Sequence, residues 1–412
     1  NCLRDSAFVN SLRALGHDAI ILPMYLPLSM SGEQINAEVP VFYGAVNIYL
    51  KQQFPLFRHM PGWLENVFDS KPLLKLAAKK SGSTRAQGLE QLTESMLLGR
   101  DGHQFQELNR LTEFLKNHVK PDIVHFSNAL LLGMAAQVRE EVKVPVVFSL
   151  QDEDVWVDPM EPAWRDRIWQ LMADKSHDVD AFVAVSSYFA AVMKQKMKIA
   201  PEKITVIPIG VRPQNYLYAK PAYSPQAIGY LSRLCEENGF EVLVDAFILL
   251  KSDPFFARLK LKATGGMTGD DHPFIQRQHK KLEKLGLLKD FEIQDDFSPG
   301  ALQSFFQSLS VLSVPVLQGE AFGLYQLEAL ASGVPIVQPE LGAFPEIVRS
   351  TGGGVVYRPN DAATLAKTLA EVLKDPARLS IMSETGRKSV EEKYDSGILT
   401  KKMVDLYEKV IG

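Results

Sequence analysis

After Pro121 the chain alternates between two patterns. Short apolar runs of strand type fall at Ile123–Phe126, Val144–Leu150, Ala181–Val185 and Ile204–Ile207. Between them lie stretches whose apolar residues recur at helical spacing: Leu130–Arg139, Trp164–Ala173 and Tyr188–Met197. A second series follows. It opens with a strand at Ala227–Leu231, a helix at Glu241–Leu250 and a strand at Leu259–Thr264. Two helix–strand units come next, roughly His272–Phe291 and Gly300–Val314, and helices at Asp361–Leu373, Arg378–Lys393 and Gly397–Ile411 close the chain. Strands that take turns with helices predict parallel sheets covered on both faces, an α/β class with doubly wound domains. Ligands of such sheets sit beyond the carboxyl ends of the strands, which points to His125, Gln151-Asp152 and Ser186-Ser187 in the first series.

The chain has 412 residues, more than one core accommodates, so two domains are expected. The stretch from Pro208 to Pro225 holds four prolines and Gly210 and reads as the linker. The predicted boundaries are 1–215 and 226–395. Before Pro121 the pattern is weaker. Ser6–Leu15 reads as a helix, Ala19–Leu22 and Val39–Tyr43 as strands, and Phe105–His118 as a helix. Gln52–Trp63 is rich in aromatics and proline and could wall an acceptor site, although such residues more often fill a core. Lys71–Lys80 is basic and amphipathic. Its sharper reading is a weak peripheral contact with anionic lipid; a solvated helix face is the plainer one.

The stretch Gln318–Val348 carries the most chemistry. Its pattern predicts a loop, a helix opening after Gly323, a strand at Val334–Val337 and a second loop. Glu320 then lies in the loop ahead of the helix, and Glu328 about one turn inside it. The first turn of a helix offers free N–H groups and partial positive charge, here from Ala321, Phe322, Gly323 and Leu324. A carboxylate beside them can hold hydroxyls or developing positive charge. Two glutamates near a helix start are also ordinary solvated side chains, and the bare pair decides nothing.

Composition narrows the alternatives. With 45 basic and 49 acidic residues and a net charge of −4, nothing suggests a nucleic-acid binder. Two cysteines far apart in sequence, Cys2 and Cys235, do not make a disulfide framework and fit a reducing compartment. The longest apolar run, Ala129–Val138, is too short to span a bilayer, and no signal-peptide pattern is visible, so a cytoplasmic location is expected, with the inner membrane face as the site of any peripheral contact. No metal-ligand cluster stands out among the eight histidines.

The whole Gln318–Val348 stretch resembles the signature of the GT-B retaining glycosyltransferases of family 4, the group 1 glycosyltransferases. Glu320, Phe322, Gly323, Glu328, Ala329, Ala331, Gly333 and Pro335 fall in register with it, as does Pro345-Glu346-Ile347-Val348. The resemblance covers nearly the whole chain and is strongest from Ala227 to Lys393. It implies two Rossmann-like domains facing a central cleft, with the final helix, 396–412, crossing back to complete the first domain. It implies Glu320 near the donor sugar and Glu328 on the nucleotide ribose. The segment around Gly16-His17 resembles the family's "L-x-x-x-G-H-x-V", but the strand and glycine-rich loop that precede it there are not in this sequence, so either the sequence is trimmed or the first strand is absent.

Three departures from the family pattern bear on chemistry. The loop after Ala227–Leu231 reads Ser232-Arg233-Leu234-Cys235-Glu236-Glu237-Asn238-Gly239, where the family has "G-R-L-x-x-x-K-G". Its arginine and lysine neutralise the departing diphosphate. Arg233 matches; Asn238 replaces the lysine and brings no charge, with Arg212, Lys262 or Lys280 as substitutes whose position the sequence does not reveal. Gln151 stands where many members have a histidine close to the reacting sugar, and an amide is neither acid nor base near neutral pH. "I-P-N-G-V-D" has become Ile207-Pro208-Ile209-Gly210-Val211-Arg212. The glycine loop Gly265-Gly266-Met267-Thr268-Gly269 adds a weak phosphate-binding signal, with Gly266 as the candidate.

The implied function is a metal-independent retaining transfer of a sugar from a UDP-, GDP- or ADP-linked donor to a hydroxyl on a glycan, lipid-linked or small-molecule acceptor, with no cofactor. Arg233, Glu320 and Gln151 are the candidate catalytic residues. Arg233, Asn238, Gly266, Ala321, Phe322, Gly323, Leu324 and Glu328 are the candidate donor ligands. The rival reading is a degenerate GT-B protein that binds nucleotide or glycan without turning it over. A two-domain sugar-binding protein of the periplasmic type and a nucleotide-sugar epimerase share the architecture but fit the Glu320–Glu328 stretch less well.

Overall fold

The computed structural model describes residues 2–22, 24 and 88–412. The expected strand at Val39–Tyr43, the aromatic stretch Gln52–Trp63 and the basic segment Lys71–Lys80 lie outside the described residues. The chain divides into two compact units, Asn1–Ile207 with Thr400–Gly412, and Pro208–Leu399.

The first unit holds a parallel sheet of four strands in sequence order: β1 (Val124–Phe126), β2 (Val146–Leu150), β3 (Ala181–Ala184) and β4 (Ile204–Val206). Val146, Val147, Phe148 and Leu150 are all fully buried, as a strand covered on both faces requires. Phe148 stacks on Phe126 at 4.7 Å and tilts against Phe182 at 6.3 Å, so the aromatics run across the sheet. Ser186, just after β3, accepts the Phe189 N–H at 3.0 Å and caps the helix Ser187–Lys196. Asp180, part of a superficial D-x-D pattern, serves the sheet: it accepts the Val146 N–H at 2.8 Å and pairs with Arg139 at 3.3 Å.

Two expectations for this unit change. Leu130–Arg139 is not one regular helix. It winds tightly over Ala129–Met134, passes through Ala135–Gln137 and widens over Val138–Val142. The tight part accommodates Gly133, whose α-carbon side lies against the backbone carbonyls of Met96 and Leu97. Ala19–Leu22 is not a strand: no described residue pairs with it in a ladder, and its side chains are half-buried or exposed. The preceding helix, Cys2–Ala14, is present. The last helix, Ser396–Ile411, is counted with the first unit from Thr400 onward. There the hydroxyl of half-buried Tyr407 meets one ring nitrogen of His125, and Ser149 Oγ meets the other at 2.9 Å.

The second unit holds a parallel six-stranded sheet in the order β10–β9–β8–β5–β6–β7. The strands are β5 (Ala227–Leu231), β6 (Lys260–Thr264), β7 (Phe291–Gln294), β8 (Val311–Leu312), β9 (Ile336–Pro339) and β10 (Gly354–Tyr357). The chain starts at β5, builds outward through β6 and β7, then returns to the other side of β5 for β8, β9 and β10. The order therefore reverses between β5 and β8, and at such a switch point the loops part to leave a crevice beyond the strand ends.

The loop expected after Val337 contains a helix, Phe344–Thr351. Pro345 suits its first turn, and Phe344, Ile347, Val348 and Thr351 form its buried face. The strand β10 follows it without having been legible in the pattern. The proline-rich stretch read as a linker packs as part of the second unit. Val211 N–H bonds to Tyr394 O at 3.0 Å, Ala219 N–H to Ser332 O at 3.1 Å and Ala222 N–H to Leu309 O at 2.9 Å. Its prolines restrict the backbone without removing these donors, so it lies against the domain rather than bridging freely.

Candidate functional site

Both loops at the switch point of the second unit carry candidate residues. The loop after β5 is closed on itself. Tyr230, fully buried, donates its hydroxyl to Arg233 O at 2.9 Å. Asn238 Nδ2 donates to Ser232 Oγ at 2.9 Å. The two positions that depart from the family motif thus satisfy each other, and the amide is spent on loop geometry. Leu234 N–H bonds to Gly266 O at 3.0 Å, which ties this loop to the glycine turn after β6.

Arg233 is held by a forked ion pair. Its Nε donates to Asp271 Oδ2 at 2.8 Å and an Nη donates to Oδ1 at 2.7 Å; the same Nη reaches Thr268 Oγ1 at 3.1 Å. Asp271 in turn accepts the Thr268 N–H at 2.7 Å, completing a capping box ahead of the helix His272–Lys284. Burial works against the charge on Asp271, but the Arg233 and Thr268 bonds outweigh it and hold the carboxyl at about 2. The bond to Asp271 likewise raises the Arg233 guanidinium above its ordinary value. Of the substitute cations, Lys262 lies in β6 and faces Glu292 at 3.7 Å, while Lys280 is exposed on the helix that follows. Neither is in the β5 loop.

The loop after β8 presents Glu320. The N–H of Ala343 donates to Glu320 O at 3.0 Å, and a side chain at Gly342 would place its Cβ 2.4 Å from Glu320 N, so the loops after β8 and β9 meet closely through their backbones. The Glu320 carboxylate accepts the hydroxyl of Tyr325 at 2.6 Å. Burial, and then the neighbouring Glu320 charge, push the Tyr325 phenol well above its ordinary value, so it stays a donor. Ala321 and Phe322 are buried. Gly323 caps the helix Leu324–Ala331 with φ +80°; a Cβ there would fall 2.7 Å from Gln326 Nε2 and 3.0 Å from the Phe344 ring. Among the described residues the N–H groups of Phe322, Gly323 and Leu324 find no acceptor. Beyond Ala321, three successive N–H groups thus follow Glu320 without an acceptor.

Glu328 lies one turn into that helix. Its Oε1 accepts the hydroxyl of Tyr216 at 2.9 Å. Burial raises its carboxyl, and the Tyr216 bond opposes the rise. Gln151 belongs to the first unit, at the end of β2. Its Nε2 donates to Ser127 O at 2.6 Å, and its N–H donates to Glu153 Oε2 at 2.6 Å. Glu153 also accepts the Ala129 N–H at 2.9 Å, so it staples the β1 and β2 loops together. Its burial lifts the carboxyl to about 8 against those two donors. The other candidates all lie in the second unit. Tyr216, Tyr325, Asp271 and Glu153 were not foreseen. Tyr216 and Glu153 are singled out by partners far away in sequence, whereas Tyr325 meets a carboxylate five residues back and the T-x-x-D spacing of Asp271 to Thr268 is a local capping signal.

Among the described residues no group of three His, Cys, Asp or Glu side chains could hold a metal ion, and no helix is long and apolar enough to cross a membrane.

A GT-B pair of parallel α/β units, of which the second winds outward from β5 in both directions and carries a glutamate-bearing loop at its switch point, defines the class. Residues 221–389 match the model of the glycosyl transferases group 1, and residues 94–215 match that of glycosyltransferase family 4. The chain belongs to the group 1, family 4-like glycosyltransferases. It is 24% identical over 304 residues to the MMP α-(1→4)-mannosyltransferase of Mycolicibacterium hassiacum, covering 71% of each chain. It is 27% identical over 210 residues to the D-inositol 3-phosphate glycosyltransferase of Stackebrandtia nassauensis, covering 48% of this chain and 47% of that one. In fold it is similar to Anabaena HepE, solved in complex with UDP, with a TM-score of 0.64 at 15% identity over 74% of this chain and 82% of HepE. It is also similar to the sucrose-phosphate synthase of Thermosynechococcus elongatus, with a TM-score of 0.61 at 21% identity over 74% and 78% of the two chains.

Proposed function

We propose that this protein transfers a sugar from a nucleotide-sugar donor to an acceptor hydroxyl, with retention at the anomeric carbon. The observation that carries the reading is the β8 loop: Glu320, oriented by Tyr325, followed one residue later by the acceptor-less N–H groups of Phe322, Gly323 and Leu324. The carboxylate accepts sugar hydroxyls and faces the positive charge that develops at the anomeric carbon. The amides and the helix start suit the sugar oxygens and the diphosphate. Arg233 supplies a cation where the leaving diphosphate gathers charge, and Glu328 accepts ribose hydroxyls. That HepE was solved with UDP and with UDP-glucose makes a uridine donor the first to test. The balance needs no cofactor: the glycosidic bond to the diphosphate breaks, the bond to the acceptor oxygen forms, and the acceptor proton leaves with the nucleoside diphosphate.

Calorimetric titration with UDP-, GDP- and ADP-sugars, alongside nucleotide release, tests this in wild type and Glu320→Gln. Binding and release by wild type, with release lost in the variant, supports the reading. NMR of the product then reads the anomeric configuration, and inversion would overturn the retaining mechanism. One observation favours a second reading. Arg233 is already paired with Asp271, and Asn238 adds no charge. Binding without release across a broad acceptor panel would therefore favour a nucleotide-binding protein without turnover.

A further inference from the structure

Glu328 sits on a helix whose first turn is part of the candidate donor site, yet its one side-chain partner among the described residues comes from the proline-rich stretch before β5. Tyr216 follows the short turn Pro213–Asn215, and its N–H closes that turn on Pro213 O at 3.0 Å. Its carbonyl accepts from Arg387 at 2.9 Å, and the same Arg387 nitrogen also reaches Ala331 O, the last residue of the Glu328 helix. Arg387 is itself fixed by Glu391 at 2.6 Å. The Tyr216 ring meets Phe306 edge-on at 6.5 Å. Backbone and ring are therefore both braced, and the hydroxyl is aimed at Glu328 Oε1 at 2.9 Å.

We infer that Tyr216 is a positioning residue that sets the preference for a ribonucleotide. By occupying Oε1 it fixes the carboxylate plane, so that Oε2 meets a ribose hydroxyl in one orientation. The inference rests on the reading of Glu328 as the ribose ligand. A glutamate side chain has three rotatable bonds and loses that freedom on binding unless a neighbour has already removed it. The phenol does so here. Burial holds it far above its ordinary ionisation range, so it remains a donor at any working pH. Its bond also favours the charged carboxylate, which can accept where a protonated one would have to donate.

The test compares wild type, Tyr216→Phe and Glu328→Gln by calorimetry. The ligands are UDP, GDP and ADP, then the 2′-deoxy and 3′-deoxy forms of whichever binds. Tyr216→Phe keeps the ring on Phe306 and deletes only the hydroxyl. The expected result is a loss of about 10-fold in affinity for the ribonucleotide, as for a hydrogen bond to a charged group only partly passed on to the ligand. Affinity for the matching deoxy form should change less than about twofold, so that discrimination shrinks. An equal loss for all forms would mark Tyr216 as structural and overturn the inference. So would wild-type discrimination in Tyr216→Phe alongside its loss in Glu328→Gln, a result that leaves the Glu328 reading intact. Unchanged discrimination in Glu328→Gln, or no binding of any nucleotide by wild type, would remove the reading beneath it.

Discussion

Asp271→Asn is the substitution whose consequence the structure fixes most closely. It keeps the shape of the side chain and removes the charge that Arg233 meets with two nitrogens at 2.7 and 2.8 Å. The Asp271 carboxyl sits at about 2, against an ordinary 3.8. That difference, at about 1.4 kcal/mol for each factor of ten, corresponds to about 2.5 kcal/mol of preference for the charged form in the folded protein, shared between the Arg233 and Thr268 bonds. Arg233 is 32% exposed, so water returns part of the interaction and about 1–2 kcal/mol of coupling is expected. A double-mutant cycle with Arg233→Gln, read by urea unfolding at pH 7, measures it. The sign with pH follows from a depressed carboxyl. The contribution is fully present above about 4 and disappears only as pH falls through about 2, so the coupling should be equal at pH 7 and pH 5. A coupling below about 0.5 kcal/mol, the usual error of additivity, would refute the ion pair as drawn. A coupling that falls between pH 7 and pH 5 would refute the placement of the carboxyl.

Further outcomes follow from the same geometry. Glu320→Gln retains size and the contact with Tyr325 but loses charge, and should lower the transfer rate by about 10²–10³ while nucleotide affinity changes little; turnover within about threefold of wild type would remove Glu320 from the chemistry. Gly323→Ala forces a left-handed backbone on alanine and drives a Cβ to 2.7 Å from Gln326 Nε2. It should cost about 2–4 kcal/mol, seen as a fall in Tm of roughly 5–15 °C, and a fall under about 2 °C would mean the cap relaxes freely. Glu153 has a folded carboxyl raised to about 8 from 4.5, so the folded state binds the extra proton. Its contribution is present below about 4.5 and is lost as pH rises through about 8. Wild-type Tm should therefore decline over that window, and Glu153→Gln should flatten the decline; identical slopes would place the titration elsewhere.

Local sequence pattern suffices for the class of fold and for the address of the candidate site. The alternation of strand-type and helix-type runs after Pro121 needs only local side-chain periodicity, and every strand it indicated there is present, with ends shifted by a residue or two. The spacing of Glu320, Gly323 and Glu328 is likewise local, because a helix start places a loop carboxylate and open amides together wherever it is folded. Phe344–Thr351 was hidden because Pro345 reads as a breaker when its place in the first turn is unknown, and Gly354–Tyr357 because a short edge strand with two half-buried valines carries little pattern.

Tertiary structure alone decided what each polar group spends its bonds on. Asn238 is 6 residues from Ser232, yet only the closed β5 loop shows that the two satisfy each other. The bonds from Arg233 to Asp271 cross 38 residues, from Tyr216 to Glu328 112, and from Tyr407 to His125 282. No periodicity or propensity reaches over such distances. The parallel pairing of β5 and β6 sets the first of these pairs, by bringing their carboxyl ends to one edge, where their loops share donors and acceptors. The other two are set by how the stretch before β5 and the last helix pack against their own units.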